Sequence, residues 1–293
     1  MESIIQTLTY GILVGALYGL VALGLGLIMG IMKFLNIAHG SFIILGGYLC
    51  FWLFTILHVD PYISVPMVII VMFMFGLIFY KLTLSPLLKL PHIEMRIDSS
   101  MLITFGVLYV LDNAMALLWT ANARSIFTTY TGESLAVFGI NLSITGLLGL
   151  LTAVLIAIIL YFTLSRTFFG KFIRAATQDA DAARLCGINV NRTYLISCGI
   201  SVALASVAGV AVVSIYSITP TGGLSWLLLA MVVMVLAGEG NLNVIIPAGI
   251  ILGVVEAIAT LVIGTPYRQA VALIVFILVL MFRTQGLFTK RGY

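Results

Sequence analysis

Two acidic residues stand inside long apolar runs of this sequence, where their carboxylates could do chemistry. Asp112, which is followed by Asn113, lies within the apolar run 100–119, and Glu256 lies within the run 244–263. An ionisable side chain within an apolar segment is expensive to bury and usually marks a functional site. If they face a cavity, these acids could couple a solute to protons or sodium ions. Alternatively, each is satisfied by hydrogen bonds inside a helix bundle or lies near an interface.

A second group of polar residues forms the motif Asn36-Ile-Ala-His-Gly-Ser41, which is followed by Gly46-Gly-Tyr48. It lies where one apolar run ends and the next begins. Asn36, His39, Gly40 and Ser41 therefore predict a helix start or a broken helix whose backbone donors meet a polar substrate or a neighbouring helix. The alternative is an N-cap followed by glycines that permit close helix packing. The motif alone leaves both open.

The longest charged segment, residues 165–193, predicts a short amphipathic helix. Apolar residues alternate with basic and acidic ones, and Gly187 is suited to a left-handed stop. Such a helix lies along the membrane surface or docks into a groove on a partner. The candidate docking residues are Gly170, Phe172, Ile173, Arg174, Asp181, Ala182, Ala183 and Gly187.

No constellation typical of an enzyme or a metal site occurs in the sequence. His39, His58 and His92 lie in different polar breaks, and the three cysteines lack metal or redox spacing. Metalloprotease, serine-hydrolase and Walker A motifs are absent, and the 236–243 segment, with Glu239 between two glycines, predicts a plain hairpin turn. We therefore predict no catalytic residue, no metal and no cofactor. If ATP drives this protein, another polypeptide binds and hydrolyses it.

The composition of the chain indicates that lipid, rather than water, surrounds most of it. Of the 293 residues, 62% are hydrophobic and only 8% are charged, and the mean hydropathy is +1.23. Soluble domains carry about 25% charged residues. The apolar runs are continuous rather than alternating, which favours helices over a barrel. The sequence predicts one all-α, polytopic membrane domain over residues 1–293, surrounded by lipid, with about eight to ten spanning helices. The net charge of +4 clusters in loops and gives no reason to expect nucleic acid.

Apolar runs between polar breaks define nine candidate spans. They are residues 8–32, 40–57, 62–84, 100–119, 143–164, 194–216, 226–237, 244–263 and 270–282. The run 226–237 is short for a crossing, and the alternative to a span is a re-entrant element over residues 226–243.

Basic residues set the expected orientation. Of the 14 Lys and Arg, all but Arg124 and Arg268 fall on one side of this topology. Because positive charge accumulates in cytoplasmic loops, we expect that side, including residues 165–193, to be cytoplasmic. The N-terminus would then lie outside and the C-terminus inside, which needs an odd number of crossings.

The motifs that carry these features resemble the permeases of bacterial ABC importers for branched-chain amino acids and related amides. Asn36-Ile-Ala-His-Gly-Ser-Phe42 is similar to the first-loop motif of that family, and Gly170-Lys-Phe-Ile-Arg-Ala175 to its long cytoplasmic loop. Asp181-Ala-Ala-x-x-x-Gly187 resembles the importer pattern Glu-Ala-Ala-x-x-x-Gly. Asp181 replaces the usual Glu, and the Leu-Pro pair that often ends the pattern is absent.

This resemblance implies a type II importer-like fold in the bacterial cytoplasmic (inner) membrane, with residues 165–193 as the coupling loop. It implies a second, homologous permease subunit, two ATP-binding subunits and an extracytoplasmic solute-binding protein. The expected function is to form half of the translocation pathway for leucine, isoleucine and valine, with urea and amides still open. The main alternative is an ion-coupled secondary carrier that uses Asp112 or Glu256, and an intramembrane enzyme is a third.

Overall fold

The protein is a bundle of long apolar helices with one small hairpin. The computed structural model describes residues 2–90, 92–137, 140–238, 240–264, 267–282 and 288. Its α-helices are α1 Glu2–Met32, α2 His39–Leu57, α3 Pro61–Phe79, α4 Ile93–Trp119, α5 Ile144–Arg166, α6 Phe168–Gln178, α7 Ala180–Leu185, α8 Val190–Ile215, α9 Gly223–Ala237, α10 Ile245–Ile263 and α11 Arg268–Phe282. Two strands, β1 Ser134–Val137 and β2 Ile140–Ser143, pair antiparallel.

The apolar runs correspond to helices throughout the described residues. Eight helical segments are long and apolar enough to cross a membrane, and the shorter α11 is also apolar. Together they match the nine spans that hydropathy predicts, so the polytopic helical fold is confirmed. The hairpin is an addition, because the sequence indicated only a polar break at 120–142. Glu239, Arg283, Lys290 and Arg291 lie outside the described residues.

Helices α1 and α8 form the centre of the bundle. In each, 89% of the most apolar window is buried within the chain, compared with 22% for α4 and α5. Hydropathy alone does not separate these helices, since all four are strongly apolar. Large side chains on the peripheral helices are exposed, such as Leu102 at 75% and Leu117 at 87%. We infer that lipid covers them, because apolar surface of this extent is unfavourable in water.

Close contact between α1 and α10 depends on glycines. A Cβ atom added to Gly15 would lie 2.6 Å from the Cα atom of Ile250, and one added to Gly249 would lie 2.7 Å from the Cα atom of Gly19. Small residues let helix backbones approach closely, which is how helices associate where lipid removes the hydrophobic driving force. The glycine pairs therefore hold α1 against α10.

The basic residues gather at one end of the bundle, which we call the basic face. Lys33, Arg96 and Arg184 line a single cavity of about 310 Å³ there. The other end, the opposite face, carries the hairpin and the 120–133 loop, where Arg124 pairs with Ile218 in an antiparallel bridge. The described loops thus separate into two faces as the charge pattern predicts.

The 165–193 segment contains two helices rather than the one that the sequence predicts. Helices α6 and α7 are separated at Asp179, which adopts an extended conformation with φ −153° and ψ 107°. Its side-chain oxygen accepts hydrogen bonds from the backbone N–H groups of Asp181 and Ala182, at 2.9 and 3.0 Å. An aspartate that caps a new helix ends the preceding one, and periodicity alone does not reveal such a break.

Candidate translocation pathway and coupling surface

Helix α2 begins inside the bundle rather than at the basic face. The His39 ring nitrogen Nε2 lies 3.0 Å from the carbonyl oxygen of Val21. Val21 precedes Met32, the last residue of α1, by eleven residues, or about 16 Å of helix at 1.5 Å per residue. Residues 33–38 therefore run back into the membrane interior before α2 starts. This geometry agrees with the hypothesis of a helix start or broken helix for this motif.

Hydroxyl groups of α4 support the irregular backbone of residues 33–38. The Ile37 N–H donates a hydrogen bond to Thr104 Oγ1 at 3.0 Å, and the Ser100 hydroxyl lies 3.5 Å from the Leu35 carbonyl oxygen. Irregular backbone persists at membrane depth only where protein or water satisfies its polar groups. The Thr104 and Ser100 side chains of α4 provide hydrogen-bond partners for this segment.

Asn36 is fully buried in this segment, and neither Oδ1 nor Nδ2 of its side chain has a hydrogen-bond partner among the described residues. The residue at the N-cap of α2 is Ala38, which offers no side-chain cap. Asn36 therefore does not cap α2 with its side chain. Buried polar atoms normally have partners, so this exception keeps Asn36 among the candidate pathway residues.

Ser41 and Asp112 come together, although the sequence separates them by two apolar runs. The Ser41 hydroxyl donates to Asp112 Oδ1 at 2.7 Å, and both residues are buried. Asp112 thus has a hydrogen-bond partner within the bundle. This agrees with the alternative in which the acid is satisfied by hydrogen bonds rather than used for ion coupling. The pair fixes α4 to the first turn of α2.

Gly40 brings the start of α2 against the start of α9. A Cβ atom added to Gly223 would lie 2.7 Å from the carbonyl carbon of Gly40, and one added to Gly40 would collide with the Gly223 carbonyl oxygen. Both helices therefore begin at one point inside the bundle. Because a helix N-terminus carries partial positive charge, this junction is electropositive. Gly40 thus allows the close helix packing that one alternative for this motif describes.

Glu256 belongs to a different group of residues, between α1, α10 and α11. Its Oε2 accepts hydrogen bonds from the Tyr18 hydroxyl at 2.8 Å and from Arg268 Nε at 2.9 Å. Glu256 is 1% exposed, whereas the Arg268 side chain is 25% exposed. Sequence reasoning did not select Arg268 as a site residue, although an arginine isolated at the opposite face is a usable signal. The structure does not place Glu256 with Asn36, His39 and Ser41.

Gly170 sets the corner between α5 and α6. Its N–H donates to the Thr167 hydroxyl, the N-cap of α6, at 3.2 Å. A Cβ atom at this position would collide with the Leu164 backbone, and Arg174 Nη1 donates to the carbonyl oxygen of the same residue. Gly170 and Arg174 therefore hold α6 to the end of α5 at the basic face.

The apolar stripe of the 165–193 segment divides between the bundle and the surface. Ile173 and Ala183 are only 6% and 4% exposed, because they pack onto the bundle itself. Phe172 is 42% exposed, and two residues outside the predicted docking set are more exposed still, Phe168 at 74% and Leu185 at 91%. The surface that a partner could contact thus includes Phe168, Phe172 and Leu185 and excludes Ile173.

Gly187 ends α7 in the left-handed conformation that the sequence predicts, with φ 83°. The Ile188 N–H donates to the Ala183 carbonyl and the Gly187 N–H to the Arg184 carbonyl, both at 3.0 Å, which is a Schellman cap. Asp181 and Arg184 form an exposed ion pair at 2.6 Å. Such a pair contributes little to stability, so both charges are available to a partner.

Across the residues that the structure describes, no cluster of three or more His, Cys, Asp or Glu side chains could hold a metal ion. The candidate site consists of helix starts, buried hydrogen bonds and an exposed surface on α6 and α7.

A family model described as branched-chain amino acid transport system / permease component matches residues 7–280. The chain is similar to the high-affinity branched-chain amino acid transport system permease protein BraD of Pseudomonas aeruginosa, with 28% identity over 97% of this chain and 95% of the relative. It is similar to LivH of Salmonella typhimurium, with 26% identity over 97% and 94%, and to a probable LivH of Methanocaldococcus jannaschii, with 28% identity over 92% and 87%. No solved structure matches this chain significantly.

These relatives bear on the choice between an importer permease and an ion-coupled carrier. Each is named as a permease of a branched-chain amino acid transport system. The local chemistry agrees, because Asp112 is hydrogen-bonded by Ser41 and Glu256 is paired with Arg268. The comparison favours the permease interpretation over the carrier.

Proposed function

Because the chain belongs to the family of permease components of branched-chain amino acid transport systems, we propose that it imports leucine, isoleucine and valine as one permease subunit of an ATP-driven importer. It lines half of the translocation pathway and performs no catalysis. A second, homologous permease subunit lines the other half. Two separate subunits bind and hydrolyse ATP, and an extracytoplasmic solute-binding protein delivers the substrate.

The observation that carries this proposal is the pair of helices α6 and α7 outside the spans. They are fixed to the basic face by Gly170 and Arg174, and they expose Phe168, Phe172 and Leu185. Large apolar side chains on a charged surface are typical of a protein interface. A free-standing carrier would have no use for such a docking surface, whereas an importer needs one to receive the motion of its ATPase.

In this proposal the basic face is cytoplasmic and the chain lies in the bacterial inner membrane. The concentration of Lys and Arg at that face supports this orientation. The N-terminus is then outside and the C-terminus inside. Docking of α6 and α7 on an ATP-binding subunit requires the same orientation, because ATP is cytoplasmic.

The starts of α2 and α9 suit a moving part of the pathway. They meet through glycine backbones, so few side chains need to repack when one helix shifts against the other. Discontinuous helices with N-termini near the membrane midplane are a common way to present backbone dipoles to a substrate. We assign Asn36, His39, Gly40 and Ser41 to this part of the pathway.

Uptake of labelled leucine by the complete complex in proteoliposomes tests the proposal. The expected result is uptake that requires ATP and the binding protein, and that persists after a protonophore or sodium ionophore collapses the ion gradients. Uptake driven by an imposed proton or sodium gradient without ATP would overturn it in favour of the carrier.

A further inference from the structure

A cavity of about 400 Å³ lies at the starts of α9 and α11, and neither Gly40 nor Gly223 lines it. Tyr18 and Glu256 are its buried residues, and Ser225 and Gln269 are exposed at its edge. Tyr18 precedes the end of α1 by fourteen residues, or about 21 Å of helix. The cavity is therefore far from the basic face, within the part of the membrane nearer the opposite face.

Aromatic rings surround the Arg268 guanidinium at this cavity. The guanidinium carbon lies 5.6 Å from the ring centre of Tyr18 and 5.8 Å from that of Tyr10. The rings of Tyr18 and Tyr216 lie 6.5 and 5.7 Å from that of Trp226. Aromatic faces attract cations, ligand ammonium groups among them, so these rings give the cavity a wall that favours positive charge.

The two charged side chains in the cavity leave hydrogen-bonding capacity unused. Glu256 Oε2 accepts both of the hydrogen bonds given above, while its Oε1 is buried without a partner in the described part of the chain. Arg268 uses Nε for this ion pair. A guanidinium has five N–H donors, so a second carboxylate can be bound beside the first. A buried pair with one unsatisfied oxygen is expensive unless another group completes it.

A zwitterion is the ligand that can insert into this ion pair without leaving a buried charge alone. Its ammonium would face Glu256, and its carboxylate would face Arg268 together with the N-terminal turns of α9 and α11, which favour negative charge. Trp226 and Leu229 provide an apolar wall for a short aliphatic side chain. We infer that this cavity is the subsite that receives the α-amino and α-carboxylate groups of an aliphatic amino acid on its way into the membrane. The inference rests on the proposed function and adds to it the residues that recognise the substrate.

Uptake by the complete complex, measured per assembled complex at saturating binding protein, tests the inference. Glu256→Gln and Arg268→Gln should each lower leucine uptake about tenfold or more, since each removes a charged hydrogen-bond partner. Thr260→Val is the matched control, because it changes the next turn of α10 without touching the cavity, and it should retain wild-type uptake.

The double variant Glu256→Gln/Arg268→Gln separates substrate binding from a purely structural ion pair. If the ion pair serves only the structure, each single variant destabilises the protein because it leaves one buried charge without a partner. Removing both charges would then restore uptake. A zwitterion subsite loses both contacts, and the double variant should transport no better than either single one. Restored uptake, or single variants equal to wild type, would overturn the inference.

A milder variant tests the inference if the charge variants fail to assemble. Tyr18→Phe removes only the hydroxyl that donates to Glu256, and uptake at the wild-type level in that variant would overturn the inference.

Binding can also be measured without transport. In nanodiscs without the binding protein, leucine should displace labelled leucine from the complex. The analogues 4-methylpentanoate and leucinamide, each lacking one charge, should not displace it. A wild-type complex that transports no branched-chain amino acid would refute the proposed function instead.

Discussion

Gly40 and Gly223 are in backbone contact, each at the first turn of its helix, so that α2 and α9 begin against one another inside the bundle. No other residue type fits at either position without movement of a helix. The contact joins a motif near the N-terminus of the chain to a helix start almost two hundred residues later.

Gly40→Ala should therefore separate α2 from α9 and lower both stability and uptake. Inserting one methyl group into a filled site costs about 1–3 kcal/mol. Thermal unfolding of the purified complex and leucine uptake measure the two effects. Gly106→Ala is the matched control, because a Cβ atom added there meets nothing within 4 Å. Equal melting temperatures for the two variants would contradict the contact.

Asn36→Leu should lower transport while the amount of assembled complex stays unchanged. The Asn36 amide is buried without partners, so a leucine of similar volume does not remove any hydrogen bond that stabilises the fold. Uptake and quantitative blotting of the complex give the two readouts. Asn113→Leu, on the exposed side of α4, should change neither. Loss of assembled protein would show that Asn36 stabilises the fold instead.

Gly187→Val should reduce substrate-stimulated ATP hydrolysis, because a β-branched residue strains the left-handed conformation of the α7 cap. The space around Gly187 is open, so the conformation alone decides the effect. Gly187→Asn is the matched control, since asparagine tolerates this conformation, and it should retain most of the activity. If complexes that contain either variant hydrolyse ATP at the wild-type rate, the α7 cap does not take part in coupling.

Leu185→Asp should weaken binding of the ATPase without destabilising the permease, because Leu185 is 91% exposed. Ile173→Asp should destabilise the permease itself, because Ile173 is buried. Pull-down of the ATPase and thermal unfolding of the permease distinguish the two. Equal effects of both substitutions on binding and on unfolding would contradict the division of the apolar stripe.

An impermeant maleimide added from outside the cell should not label Cys186. This residue is exposed at the basic face, whereas Cys50 and Cys198 are buried. Ser134→Cys, in the exposed hairpin at the opposite face, should be labelled under the same conditions. Labelling of Cys186 in intact cells would reverse the orientation that the charge pattern predicts.

The sequence predicted the spans well, because hydropathy acts locally and each apolar run is long enough to identify a helix. It did not predict the depth at which α2 begins, since hydropathy is the same for a helix that starts at the surface and one that starts inside the bundle. The pairing of Glu256 with Arg268 was also missed. That pairing depends on how α10 and α11 pack against α1, which no local pattern encodes.

The docking surface was predicted only in part, for a similar reason. Amphipathic periodicity identified a helix with an apolar stripe, but it did not show which part of the stripe packs on the same chain. Ile173 is buried by the protein itself, and the unselected Leu185 carries the exposed apolar surface. The left-handed end at Gly187 was predictable, because only the local backbone determines it.

The central position of α1 has a consequence for biosynthesis. Its packing partners α8 and α10 begin at residues 190 and 245, so both emerge from the ribosome long after α1 has entered the membrane. At about 5–20 residues per second, the delay between the end of α1 and the end of α10 is roughly 10–50 seconds. During that interval the glycine surface of α1 is exposed to lipid and to other nascent helices. Although α1 is made before α8 and α10, it is thus enclosed only after both are present. A chain truncated before α10 would leave that surface free for wrong partners.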